Sequence, residues 1–382
     1  MNSTPEFAAF VERRLSEPFP LIQVLLGPRQ VGKTTVAKEV FDKFQGSKLF
    51  VTADGPSPPD FDWLRTHWLR VRAMPGPVLF VVDEAQKIAG WSEVVKEEFD
   101  RDRGNRDIRV LLLGSSSLTL QRGLSESLAG RFELIRAYHW NLREMERSFG
   151  WDLDAYLGFG GYPGAARFFS EPLRWQDYLR DSVIEPVLGR DILLARSVSK
   201  PGLFRQAFEV VLNYPAQQVS YQKIVGQLQG QGTGETIKHY LRLFEEAFLL
   251  KSIYSYSIRP LTTRTSSPKV IPLAPALVHA FVPPERIKLD PEWRGRLFEA
   301  AVGASILRQE RELFTWRERD FEVDYVVPRA SGPIAIEVKS GRRRGASGIT
   351  KFMRAFPRAR SLILSEESAL PLLRGAPIES YF

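Results

Sequence analysis

In the stretch GPRQVGKT, residues 27–34, Gly27 and Gly32 bracket four residues, and Lys33 and Thr34 follow directly. Glycines at these positions let backbone N–H groups curl around an anion, and a helix starting after them adds positive potential. The spacing predicts a phosphate loop for a nucleotide, built from Gly27, Pro28, Arg29, Gln30, Val31, Gly32, Lys33, Thr34 and Thr35. Lys33 would reach the outer phosphates of ATP, and the Thr34 hydroxyl would bind Mg²⁺. A second stretch, VVDEAQ (81–86), ends an apolar run in two carboxylates. Asp83 would hold the same Mg²⁺, and Glu84 would polarise an attacking water. The plain alternative for this pair is a helix cap after a buried strand. LLLGSSS (111–117) places Ser115, Ser116 and Ser117 at the end of another apolar run. Ser116 is the candidate for sensing the terminal phosphate, and ordinary turn chemistry is its alternative. Arg131, in LAGRFELI, is a candidate arginine finger acting across a subunit boundary in a homo-oligomer, with a surface arginine as the alternative.

These residues need a scaffold that brings strand ends together. Five apolar runs (21–27, 47–54, 77–86, 108–117 and 131–140) alternate with segments of helical potential, notably 33–44 and 91–103. Near-continuous apolar strands separated by helices imply a parallel sheet covered on both faces. Residues 141–200 read as helical, interrupted by the glycine-rich turn GFGGYPG (158–164). Residues 203–257 read as helix, turn, short helix, glycine turn, long helix and strand, the order of a winged helix-turn-helix. Within the long helix Ile237, Tyr240, Leu241, Phe244, Ala247 and Phe248 keep a core-facing period, while Lys238, His239 and Arg242 lie off it. Those three would face DNA, or the helix would serve as a protein-docking surface; the pattern leaves both open. Residues 258–275, rich in Pro, Ser and Thr, read as a wing, loop or linker.

Composition sets the outer limits. The 382 residues exceed one ordinary core, and 43% hydrophobic with 26% charged residues is the balance of a soluble globular protein. The net charge of +8 suits a nucleic-acid partner. With no cysteine there is no disulfide, thiolate metal site or cysteine nucleophile, and a cytoplasmic location is expected. The four histidines are scattered without metal-ligand spacing. The first residues lack a signal-peptide core, and no apolar run is long enough to span a membrane.

The segments GPRQVGKTT, VVDEAQ, LLLGSSS, LAGR and YLGFGGYPGAARF follow in the order seen in a family of bacterial and archaeal AAA-type ATP-binding proteins. That family resembles archaeal ATPases with winged-helix domains and carries a C-terminal domain with restriction-endonuclease-like motifs. The resemblance spans nearly the whole chain. It implies an α/β fold: a P-loop AAA-type parallel-sheet core at 1–140, a helical lid at 141–200, a winged helix at 201–260 and a C-terminal α/β domain at 285–382. The chain departs from the family's usual aromatic-Asp pattern at SSPKVIPLAPALVHAF.

The last domain resembles PD-(D/E)xK nucleases through LFEAAV (297–302), FEVDYVV (321–327) and AIEVKSG (335–341). By that match Asp324 and Glu337 would bind a second divalent ion, Mg²⁺ or Mn²⁺. Lys339 would orient or deprotonate water, and Glu299 would assist metal or water. Strand alternation agrees, because Glu337 and Lys339 share one face while Ile336 and Val338 take the other. Two outcomes stand: metal-dependent phosphodiester cleavage, or an inactive scaffold retained in a DNA-binding regulator or a protein-interaction switch. The run GRRRGASG (341–348) reads as a phosphate-backbone contact or a solvated loop.

Overall fold

The structure is a computed structural model that describes residues 5–18, 21–57, 59–115, 127–193, 198, 200–230, 232–257, 267–340 and 347–382. Two compact units emerge, Met1–Tyr138 with Pro186–Ser197, and His139–Glu185 with Val198–Phe382.

The first unit is a five-stranded sheet in the order β2-β3-β4-β1-β5, parallel throughout. Its strands are β1 (Ile22–Gly27), β2 (Ser47–Thr52), β3 (Val78–Asp83), β4 (Ile108–Ser115) and β5 (Phe132–Arg136). Among the described residues its α-helices are α1 (Phe7–Leu15), α2 (Lys33–Lys43), α3 (Phe61–Ala73) and α4 (Trp91–Asp102). Every residue of β1 and β3 is buried, whereas β2 and β5, at the two edges, are mostly half-buried. The apolar run VLFVV, and IQVLLG with its one polar residue Gln23, are what strands covered on both faces require. Strand β4 lies between β1 and β3, and because all three are parallel their C-terminal ends lie at one end of the sheet. Ligands of open parallel sheets bind at such strand ends. A π-helical stretch, Val187–Leu193, belongs to this unit although it is distant in sequence.

The second unit carries a seven-stranded sheet, β12-β11-β10-β9-β7-β8-β6. Short helices α5 (Leu142–Phe149), α6 (Leu153–Phe159) and α7 (Pro172–Asp177) come first. There follow α8 (Pro201–Leu212), β6 (Gln217–Gln218), α9 (Tyr221–Val225), α10 (Gly234–Glu246), β7 (Leu250–Ser255) and β8 (Lys269–Pro272). Helix α10 buries Ile237, Tyr240, Leu241 and Phe244 and leaves Lys238, His239 and Arg242 exposed, as its periodicity requires. Next are α11 (Pro275–His279), α12 (Arg286–Leu289) and α13 (Pro291–Gln309). The chain ends with β9 (Phe314–Glu318), β10 (Phe321–Val327), β11 (Ile334–Lys339), α14 (Ser347–Ala355), β12 (Arg360–Ser365) and α15 (Glu366–Leu373). Strands β7 and β9 pair in parallel, Tyr254 with Phe314 and Ser255 with Thr315. The segments read from sequence as 201–260 and 285–382 therefore share one sheet, and part of the stretch read as wing or linker is the buried strand β8.

Candidate functional site

The loop after β1 has the backbone of an anion nest. Gln30 and Gly32 adopt positive φ of 62° and 95°, and α2 starts at Lys33. Alternating hand along a short loop turns successive N–H groups to one side. Gly27 has a different reason to be glycine: a Cβ there would lie 2.1 Å from the Ala137 carbonyl oxygen. The buried Lys33 ammonium donates to the carbonyls of Gly27 (2.9 Å) and Pro28 (2.6 Å). Burial pulls its pKa down to about 8, against the opposing pull of Glu84 and Asp83. The Thr34 hydroxyl donates to Asp83 Oδ2 at 2.9 Å, joining the two residues expected at Mg²⁺. Asp83 Oδ1 accepts the Glu84 N–H at 2.9 Å, and Glu84 Oε2 accepts from Gln86 Nε2 at 2.6 Å. Glu84 has φ 55°, a left-handed conformation sparsely used by non-glycine residues and concentrated at functional sites. Pro28 and Val31 are buried, and Thr35 is exposed on the first turn of α2. This donor set of N–H nest, ammonium, hydroxyl and carboxylate fits a nucleoside triphosphate with Mg²⁺.

Arg29, within the loop, is tied to Asp191 of the π-helical stretch by two bonds, Nε to Oδ2 at 2.7 Å and Nη2 to Oδ1 at 2.6 Å. The hydrogen bonds to Asp191 raise the guanidinium pKa further, so Arg29 stays charged. Arg131 does not join the phosphate site of its own chain. Its carbonyl accepts the Ile22 N–H at the start of β1, about 17 Å of strand rise from the loop that follows Gly27. Its guanidinium grips Asp100 through bonds of 2.7 and 2.8 Å. Ser116 lies outside the described residues.

In the second unit, two of the residues singled out from the nuclease-like motifs, Glu299 and Asp324, meet around a cation absent from that reading. Lys269, on β8 and only 1% exposed, pairs with Glu299 of α13 and lies 3.5 Å from Asp324 Oδ1 and 3.9 Å from Glu322 Oε1. Its ammonium also sits 4.8 Å from the centroid of the Tyr325 ring and 3.3 Å from the Asp324 carbonyl oxygen. Burial alone would lower the Lys269 pKa, but Glu299, Asp324 and Glu322 together outweigh it and hold the proton more tightly than usual. Burial, and then the Asp324 charge, push the Glu299 carboxyl up, and Lys269 opposes them. Asp324 Oδ2 accepts the Val338 N–H at 2.8 Å. Glu337 pairs with Lys339 at 2.5 Å, and burial raises its pKa ahead of the nearby Asp324 charge. Glu299 and Asp324 thus meet at Lys269, while Glu337 and Lys339 pair with each other, and the expected second divalent ion does not fit. An ammonium fills the space between Glu299 and Asp324, and both Asp324 oxygens are engaged. Among the described residues no group of three or more His, Asp and Glu is arranged to hold a metal.

Comparison with known proteins adds the family context. Residues 20–146 match the family model of an AAA domain. Residues 150–288 and 294–377 match two domains of unknown function, DUF8612 and DUF4143. Uncharacterized proteins of Mycobacterium bovis and Mycobacterium tuberculosis are each 28% identical over 353 residues, covering 90% of this chain and 75% of theirs. An uncharacterized protein of Haemophilus influenzae is 23% identical over 265 residues, covering 62% of this chain and 63% of its own. Among solved structures, a Walker-type ATPase of Pyrococcus abyssi is similar at TM-score 0.45 and 14% identity, over 74% of this chain and 96% of that one. The ORC1 protein of Aeropyrum pernix, solved in complex with DNA, is similar at TM-score 0.32 and 14% identity, over 74% of this chain and 93% of its own.

The stretch that the AAA-domain model matches contains the phosphate loop, Asp83 and Glu84. Sequence reasoning missed Asp191, Glu322 and Lys269. Asp191 gave no local signal, because its partner is 162 positions away. Lys269 did give one: a lone lysine inside PKVIPLAP, an apolar stretch where an unpaired charge would be costly.

Proposed function

We propose that this chain binds and hydrolyses ATP at the AAA domain and uses that cycle to act on nucleic acid, DNA in the first place. The observation that carries the ATPase reading is the Thr34–Asp83 hydrogen bond beside the buried Lys33, at the open end of a parallel sheet. Bound ATP with Mg²⁺ would supply the phosphoanhydride bond and the neutralising cation. The loop N–H groups and Lys33 would hold the phosphates, exchanging the Lys33 contacts to Gly27 and Pro28 for phosphate oxygens. Thr34 and Asp83 would hold the cation. Glu84, fixed in orientation by Gln86, would take a proton from the attacking water. The test is ATP binding and phosphate release by wild type, Lys33→Ala and Glu84→Gln. Lys33→Ala should lose binding. A chain that hydrolyses ATP equally well without Lys33 would refute the assignment.

The nucleic-acid part rests on other features. The order α8, β6, α9, α10, β7, β8 supports a winged-helix reading, with Lys238, His239 and Arg242 exposed on α10. The net charge of +8 is consistent with a polyanionic partner. Each residue of that face that meets a phosphate should contribute about one unit to the salt slope of DNA binding. A Lys238→Ala, Arg242→Ala double variant with an unchanged slope would turn the helix toward protein docking. No helix among the described residues is long and apolar enough to cross a membrane. The order α13, β9, β10, β11, α14, β12 supports a nuclease-like scaffold for the tail. The ammonium in its acidic cluster favours a retained scaffold over a metal-dependent nuclease.

A further inference from the structure

We infer that the Lys269 ammonium is the permanent internal cation of the tail's acidic cluster, standing where a divalent metal would otherwise be held and fastening β8 to α13 and β10. The inference is independent of ATP hydrolysis and stands on three observations. First, Lys269 is 1% exposed, so its charge is tolerable only because carboxylates surround it. Second, those carboxylates come from separate elements. Glu299 is on α13, Glu322 and Asp324 are on β10, and Lys269 is on β8, which pairs with β7 and β6 rather than with either of them. Third, the surroundings are shaped for an ammonium. The Tyr325 ring lies 4.8 Å from Nζ, and its hydroxyl donates to the Glu299 carbonyl at 2.7 Å. That ring is admitted by Gly303 of α13, where a Cβ would lie 2.5 Å from the hydroxyl. An aromatic face favours an organic cation by its quadrupole and offers a divalent metal no oxygen.

Removing the ammonium should expose what it replaces. Three carboxylates left together repel one another unless another cation enters. Lys269→Met keeps the volume and removes the charge, so the variant should acquire a metal site that the natural chain lacks.

The test uses the full chain without nucleotide and Mn²⁺ as the probe. In a water-proton relaxation titration to millimolar Mn²⁺, wild type and Asp324→Asn should bind the same number of ions. An ion bound by wild type and lost in Asp324→Asn would overturn the inference. Lys269→Met should melt lower than wild type and recover with metal. At one hundred times its dissociation constant the rise should be roughly 5 °C. Wild type and the Lys269→Met, Asp324→Asn variant should show no such rise. A folded Lys269→Met indifferent to Mn²⁺ would count against the inference as decisively as metal binding by wild type. Should Lys269→Met not fold, Lys269→Met with Glu299→Gln, a neutral pair of similar size, should restore folding; failure of that rescue while wild type binds the Asp324-dependent ion rejects the fastening role.

Discussion

Lys33 makes the phosphate site sensitive to pH in a direction the structure fixes. In the free chain its ammonium is buried against Gly27 and Pro28 and titrates at about 8. A lysine with a lowered pKa is charged below that value and neutral above it. Phosphates restore the charged form, so a nucleotide binding above pH 8 must draw in a proton, and its affinity must fall as pH rises. If the bound state keeps Lys33 charged throughout, the apparent dissociation constant scales as one plus the ratio of neutral to charged free lysine. Between pH 7 and pH 9 that is a loss of about tenfold, or about 1.4 kcal/mol. The folding consequence has its own sign. The unfolded chain, with lysine near its ordinary pKa, binds more protons between pH 8 and 10.5. Lys33 burial therefore costs most below pH 8, and its cost diminishes as pH rises through that window. Fluorescent ATP-analogue titrations at constant ionic strength and saturating Mg²⁺ would read the affinity. Lys33→Arg, which stays charged, should flatten the profile if it binds at all. Wild-type affinity that is constant from pH 7 to 9, in a chain that binds nucleotide, would refute the burial argument.

Other consequences follow from the same unit. Glu84→Gln should keep nucleotide affinity and lower the hydrolysis rate by roughly 10²- to 10⁴-fold, read by single-turnover phosphate release. Arg29→Ala and Asp191→Ala should each destabilise the chain, and a double-mutant cycle by denaturant unfolding should give a coupling of about 1–3 kcal/mol; additivity would mean the bidentate pair is energetically idle. Gly27→Ala should destabilise by about 1–3 kcal/mol or more, because its Cβ would meet the Ala137 carbonyl oxygen at 2.1 Å. A melting temperature equal to wild type would show that the loop yields freely.

The phosphate site was legible because its chemistry is local. Nine consecutive residues contain the nest, the ammonium and the hydroxyl, and the strand before them is a mostly apolar run. Asp83 and Glu84 were legible for the same reason, since they end another fully buried strand. What could not be read was the order of strands. Nothing in the runs themselves says that β4 inserts between β1 and β3, and that insertion sets Asp83 against Thr34. Arg131 shows the converse limit. It stands before β5, and that strand start is the sheet end away from the phosphates of its own chain, so the role read for it across a subunit boundary depends on a second copy rather than on this fold.

In the tail, two of the residues singled out from the sequence, Glu299 and Asp324, lie beside a cation that the sequence reading did not include. Glu299 and Asp324 share the Lys269 ammonium, and Glu337 and Lys339 pair on the one face of β11 that strand alternation gives them. The reading that gave them a metal counted only the charges inside the nuclease-like motifs. A buried cluster is balanced by whatever the fold places beside it, and β8 joins the same sheet two strands from β9. Lys269 enters from there, out of a segment read as wing or linker. The apolar residues around Lys269 held the clue. A charged side chain in a run that is otherwise core must be neutralised by partners elsewhere, and an acid on a buried helix face must be neutralised in the same way. Glu299 and Lys269 are such a pair, and each neutralises the other.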